Sequence, residues 1–251
     1  MQHRRGSMKK ACILLLLLLP AAVRSFAAVP DNDDIYAKTA DASSPYYYPN
    51  LMLRFSEWQT PMGCDEMHYL YYGYAFTDDY KPLENDMHYA RVMEILARLA
   101  IDEPMVSDLD ELVMAATQSL RHDPFSPQIL NILSYAYGAL GDTVREKACA
   151  DKCNAILRVI ETSGNGLRKE TPMHIIMFAH AADLIAAKGW NSRESRVISR
   201  NIEFVPFDVA HDKAKGYYFD FSRIYWNKPE GYTFKRERTW QFNNLKPREY
   251  K

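Results

Sequence analysis

The chain has 251 residues, a formal net charge of −1 and 47% hydrophobic residues. Such a balance makes no strong field for nucleic acid or an anionic membrane surface, so no nucleic-acid partner is expected. Beyond the first 27 residues nothing approaches the ~20 apolar residues that span a bilayer, so the processed chain is expected to carry no transmembrane segment.

Residues 1–27 read as an export signal. Lys9 and Lys10 form a basic start, Ile13 to Leu19 a short apolar core, and Ser25-Phe26-Ala27 a small-x-small cleavage pattern. Met8 is read as the start of translation, because Met1 to Ser7 adds nothing such a signal needs. Cleavage is expected after Ala27, with Ala28 as the alternative. Cys12 precedes the apolar core, so it is not placed for lipid attachment, and the product is expected to be periplasmic or secreted and soluble. About 220 residues then remain, enough for one good core or two small ones.

Residues 28–45 read as a flexible lead-in dominated by Asp, Ser and Ala. Residues 46–190 read as a helical region. Pro45 and Pro49 bracket Tyr46-Tyr47-Tyr48, which predicts an extended triad. A short helix follows, with Leu51, Leu53, Phe55 and Trp58 available for burial. Cys64 to Phe76 is a second helix whose face is Met67, Leu70, Tyr71 and Tyr74. Pro82 opens a helix to about Asp102, apolar at Val92, Ile95, Leu96 and Leu99. Ser107 and Asp110 look like a capping box for the next, which carries Leu109, Leu112, Ala116 and Leu120.

Ser126-Pro127 is an N-cap followed by an N1 proline, and Ile129, Leu130, Leu133, Tyr137 and Leu140 make one apolar face. Gly141 fits a helix-ending glycine at positive φ. Asp142 or Thr143 can cap the next helix, with Ala148, Ala155, Ile156 and Val159 along it. Thr171-Pro172 looks like another cap pair, opening a helix to Lys188 that Gly189 ends. Residues 191–251 read as β-rich. Tyr217, Phe219 and Phe221 alternate with Tyr218, Asp220 and Ser222, His211 to Gly216 is a polar turn, and Gly231 to Phe242 supplies a further strand. The fold class is therefore α+β, mainly α: antiparallel helical hairpins followed by a small C-terminal antiparallel sheet.

Leu133, Tyr137, the Leu140-Gly141-Asp142 turn, Ala148 and Ala155 stand in the order of a tetratricopeptide repeat, which this stretch resembles. Asp123-Pro124 is similar to the proline that closes the preceding repeat. The turn to Ala148 is about two residues longer than the consensus, and Ser134 occupies a small-residue position. A second resemblance is to exported bacterial proteins grouped as domain of unknown function 4919. It rests on Tyr47-Tyr48-Pro49, on Cys64 to Tyr74 with its Leu70-Tyr71-Tyr72-Gly73 core, on Tyr80-Lys81-Pro82, and on Tyr218-Phe219-Asp220-Phe221. It implies export and a tetratricopeptide-like middle, and it brings no activity, cofactor or catalytic residue.

No Gly-rich phosphate loop, His-Glu-x-x-His, Gly-x-Ser-x-Gly or paired Cys-x-x-Cys occurs. His174 and His180 would lie on different faces of one helix. Asp65-Glu66 and Asp78-Asp79 stand at helix starts and turns, where solvated acids belong. Cys64, Cys149 and Cys153 survive processing, an odd number, so at least one thiol has no partner within the chain. Cys149 and Cys153, four apart, read as half a metal site or, better, as core residues; a disulfide from Cys64 to either is open. No catalytic residue, metal or cofactor is expected. Tyr47, Tyr48, Tyr69, Tyr72 and Tyr80 form a candidate aromatic surface for a peptide or sugar ring. The competing and better reading has these rings packing the first helices against one another and against the sheet. The expected function is an exported, non-enzymatic protein-binding or scaffold protein; the alternatives are a glycan-binding accessory protein and an enzyme of unrecognised type.

Overall fold

The computed structural model describes residues 28–57, 61–100, 104–212 and 214–226. The export signal expected at 1–27, Trp58 and the strand expected at 231–242 lie outside the described residues. In chain order the helices are α1 (Asn32–Ala40), α2 (Tyr48–Ser56), α3 (Cys64–Gly73), α4 (Met87–Leu99), α5 (Val106–His122), α6 (Pro127–Ala139), α7 (Thr143–Thr162) and α8 (Ala179–Ala187). The strands are β1 (Met173–His174), β2 (Arg196–Val197), β3 (Ile202–His211) and β4 (Ala214–Asp220). This is the α+β, mainly α class.

The hairpin of α6 and α7 forms as its residues dictate. Ser126 Oγ accepts from Ile129 N at 3.3 Å, and Asp142 accepts from Arg145 N at 3.0 Å. Gly141 takes φ +81°, where an L side chain would be strained. Ser134 faces α7 and donates to the Glu146 carbonyl at 3.0 Å, so the small residue at the crossing also forms a bond. Successive helices α4, α5, α6 and α7 pack pairwise around a core that includes Leu112, Leu133, Tyr137 and Cys149.

A second core joins α1, α2, α3, α7, α8 and the sheet. Helix α3 is central to it. Leu70, Tyr71 and Tyr72 are fully buried, and Gly73 lets α1 approach so closely that a Cβ there would meet the Thr39 methyl at 2.8 Å. The strand order is β1-β4-β3-β2, with β3–β4 and β3–β2 antiparallel and β1–β4 parallel.

Several sequence expectations are corrected. The lead-in expected to be flexible forms α1, because Asp31 caps it by accepting from Asp33 N and Asp34 N, and Ile35 is fully buried. The tyrosine triad is not wholly extended, since Tyr48 opens α2 with Pro49 in its first turn. Helix α4 starts at Met87, not Pro82, where Asp86 accepts from His88 N at 2.8 Å. Helix α5 starts two residues early, because the Asp108 carboxylate reaches back to Met105 N at 3.3 Å.

Thr171-Pro172 opens no helix. The Thr171 hydroxyl donates to Asn165 Oδ1 at 2.7 Å and its carbonyl accepts from Gly166 N, so it serves the loop and not a cap. The next residues form β1, inside the region read as helical. The consecutive buried Ile175, Ile176 and Met177 have no single helical face, and α8 begins only at Ala179. Because β1 runs parallel to β4, the sheet is mixed and not purely antiparallel. Strand β4 stops at Asp220, and Arg223–Tyr225 form a 3₁₀ turn.

Candidate functional site

The five singled-out tyrosines do not share one exposed platform. Tyr72 and Tyr80 are buried, and their hydroxyls are committed. A buried, irregular backbone must have its polar groups satisfied, and the segment 174–177 is such a case. Tyr72 OH donates to the His174 carbonyl at 3.1 Å, and Tyr80 OH donates to the Ile176 carbonyl at 2.6 Å. Ser163 Oγ accepts from His174 N at 2.7 Å, and Ile175 N donates to the Asp220 carbonyl at 3.3 Å. Tyr71 OH accepts from Ile176 N at 3.4 Å. The Leu-Tyr-Tyr-Gly core of α3 thus braces the strand that follows α7. These residues are tyrosine and not phenylalanine because backbone groups need their hydroxyls.

Tyr71 also joins a buried chain. Its hydroxyl is 2.7 Å from His180 Nδ1, and His180 Nε2 is 2.9 Å from Asp123 Oδ2. The imidazole is fully buried, so this chain links α3, the turn before α6 and α8 from within. His174 and His180 therefore stand on β1 and α8, not on one helix. Burial above all lowers the His174 pKa to about 4.

Of the remaining tyrosines, Tyr48 is half-buried and stacks on Tyr74, with centroids 6.4 Å apart. Tyr47 is half-exposed at the start of α2. Tyr69 stacks on Tyr46 at 4.1 Å. Tyr69 also closes a triangle: its hydroxyl donates to Asp34 at 2.7 Å and accepts from Lys38 Nζ at 2.6 Å, while Lys38 Nζ lies 3.0 Å from Asp34. The Tyr69 hydroxyl, then Lys38, hold the Asp34 pKa below its ordinary value.

That triangle stands on the wall of an open groove of about 1290 Å³. Phe55, Met62, Met67, Ala148, Ala155 and Val159 supply its apolar surface. One wall comes from α1 and α3 and carries Asp31, Asp34, Asp65, His68 and Tyr69. The other is the outer face of α7, with Val144, Lys147, Asp151, Asn154 and Arg158 in a stripe at helical spacing. Lys152 lies over the Phe55 ring at 4.9 Å, and burial lowers its pKa. His68 packs edge-on to Tyr72 at 5.0 Å, and burial above all lowers its pKa.

Other sequence candidates fall apart from this groove or within it as plain surface. Glu66 pairs with Arg54 and accepts from Gly63 N at 2.8 Å. Asp79 contributes its carbonyl to Tyr74 OH at 3.0 Å. All three described cysteines are free: Cys149 is buried in the core of α4 to α7, Cys153 is half-buried, and Cys64 is exposed at the groove. Cys64 and His68 are one turn apart on α3, but no hydrogen bond joins them among the described residues. Among the described residues no group of three or more His, Cys, Asp or Glu could hold a metal ion. No described helix is long and apolar enough to cross a membrane.

Sequence reasoning missed the groove because its residues run from Ala28 to Thr162 and look like ordinary charged helix surface. The one signal available was Val144, an apolar residue on the wet side of α7, left 55% exposed. No curated protein and no solved structure matches the chain. The family model described as Domain of unknown function (DUF4919) matches residues 33–229, so the chain belongs to that family.

Proposed function

We propose that this is an exported, non-enzymatic binding protein that takes up a segment of another protein in the groove between α3 and α7. One observation carries the reading: an open groove with an apolar floor, a wall of Asp31, Asp65 and the Asp34–Lys38 pair, and a wall on α7 bearing Arg158 and the Lys147–Asp151 pair. An apolar floor accepts anchoring side chains, while charged walls select and orient what enters. Helix α7 has 20 residues; at ~1.5 Å per residue it offers a wall of about 30 Å. That suits a helical or extended segment with apolar anchors, basic residues toward α1–α3 and acidic residues toward α7. The glycan reading has weaker support, because Tyr46 and Tyr69 stack on each other and so cover ring faces a sugar would need.

A thermal-shift panel of charged peptides and of soluble glycans tests the reading. Binding to the folded state raises Tm by mass action. A shift with peptides of the stated charge pattern, lost in Arg158→Glu, supports it. A shift with glycans alone overturns it.

A further inference from the structure

Helix α7 ends at Thr162 with no basic residue in its last turn. The closing carbonyls carry the negative end of the helix dipole, which a nearby cation stabilises. The Thr162 carbonyl accepts from the Ala28 nitrogen at 2.7 Å. Ala28 is held in place by the residues after it. Pro30 is buried, and its carbonyl accepts from the Arg223 guanidinium at 3.2 Å. Arg223 is 2% exposed and also donates to Asn32 Oδ1. Asp31 is fixed as the cap of α1. Arg223 and α1 thus anchor the chain from Pro30 on, two residues from the Ala28 nitrogen, within reach of Thr162.

We infer that hydrolysis of the Ala27–Ala28 bond turns the Ala28 nitrogen into a cation on the closing carbonyls of α7, whose last turn has no basic residue of its own and whose nearby Lys188 is taken up by the Glu161 carboxylate. The inference rests on the reading that the chain is exported and processed. One water is consumed by a peptidase. The bond between the Ala27 carbonyl carbon and the Ala28 nitrogen breaks, the carboxylate leaves with the leader, and the Ala28 amide becomes an ammonium. The donor to Thr162 is retained and gains a positive charge. Ala28 and Val29 line the groove, so processing also leaves that charge on its rim. Processing is therefore a maturation step that stabilises the fold and places a positive charge on the rim of the groove.

The test compares two forms of the chain from Ala28 to Lys251, one with a free α-amino group and one N-acetylated. Acetylation keeps the N–H donor and removes the charge. The free form should melt about 1–4 °C higher at low salt, and the gap should close in about 1 M salt. N-terminal sequencing of the exported protein should begin at Ala28. Equal melting temperatures at low salt, or a processed chain beginning elsewhere, overturn the inference. A chain processed at Ala28 that binds in the groove while both forms melt together refutes this inference alone; an unprocessed chain refutes the export reading with it.

Discussion

Replacing Tyr71 by Phe removes one hydroxyl from a site that is fully buried. The ring still fills its space, so no cavity forms, and the loss is confined to hydrogen bonds. His180 Nδ1 loses a partner at 2.7 Å, and Ile176 N loses a longer one at 3.4 Å. A buried polar group left unpaired costs about 1–3 kcal/mol, so the two together should cost about 2–6 kcal/mol. At ~2–4 °C per kcal/mol this is a fall in Tm on the order of 10 °C. Urea denaturation of Tyr71→Phe, His180→Leu and the double variant measures it. Asp123 also accepts from Phe125 N at 3.1 Å, so removing the imidazole does not strand the carboxylate. The double variant should therefore cost less than the sum of the singles, since the unpaired nitrogen is gone. Tyr135→Phe is the control, with its residue 52% exposed. If Tyr71→Phe is as mild as Tyr135→Phe, or the two single costs simply add, the buried chain is not a coupled brace.

Leu133→Ala and Tyr137→Ala should each cost ~2–5 kcal/mol, because both residues are buried on the α6 face. Glu161→Ala, on the wet side of α7, should stay within about 0.5 kcal/mol; equal denaturation midpoints would refute the register. Burial raises the Asp183 pKa from 3.8 to about 6, so its ionisation costs stability as pH rises through that window. Asp183→Asn should therefore gain on the wild type between pH 4 and pH 8, and a pH-independent difference in Tm would contradict the burial argument. Truncation after Asn191 removes Val205, Phe207, Phe219 and Ile224 from the core that joins α1, α2, α3, α7, α8 and the sheet; the fragment should aggregate or melt without cooperativity, and a sharply melting monomer would show the core to be misplaced.

What was legible in the sequence was local. Ser126-Pro127 and Gly141-Asp142 carry their own hydrogen-bonding instructions, and the hairpin between them came out where those residues put it. Thr171-Pro172 carries the same signature, but Asn165, six residues away, takes the hydroxyl. No local rule could weigh that competition. Helix α1 was hidden because a single isoleucine and one threonine provide its buried side, too little for a periodic signal. The tyrosine motif was conspicuous in sequence, and its better reading as packing agrees with the buried Tyr72 and Tyr80. Its partners in the 174–176 backbone are about a hundred residues away, so their identity needed the fold. The groove was invisible for the same reason, because Asp34, Asp65 and Arg158 meet only in three dimensions.

The most direct test of the central claim is peptide display against the protein, with each selected peptide measured by calorimetry on the wild type and on an Asp65→Lys/Arg158→Glu variant. A groove that recognises a protein segment predicts peptides with apolar anchors and separated basic and acidic positions, bound at least tenfold more weakly by the variant. Peptides that bind the variant as well as the wild type would place recognition elsewhere and contradict the account.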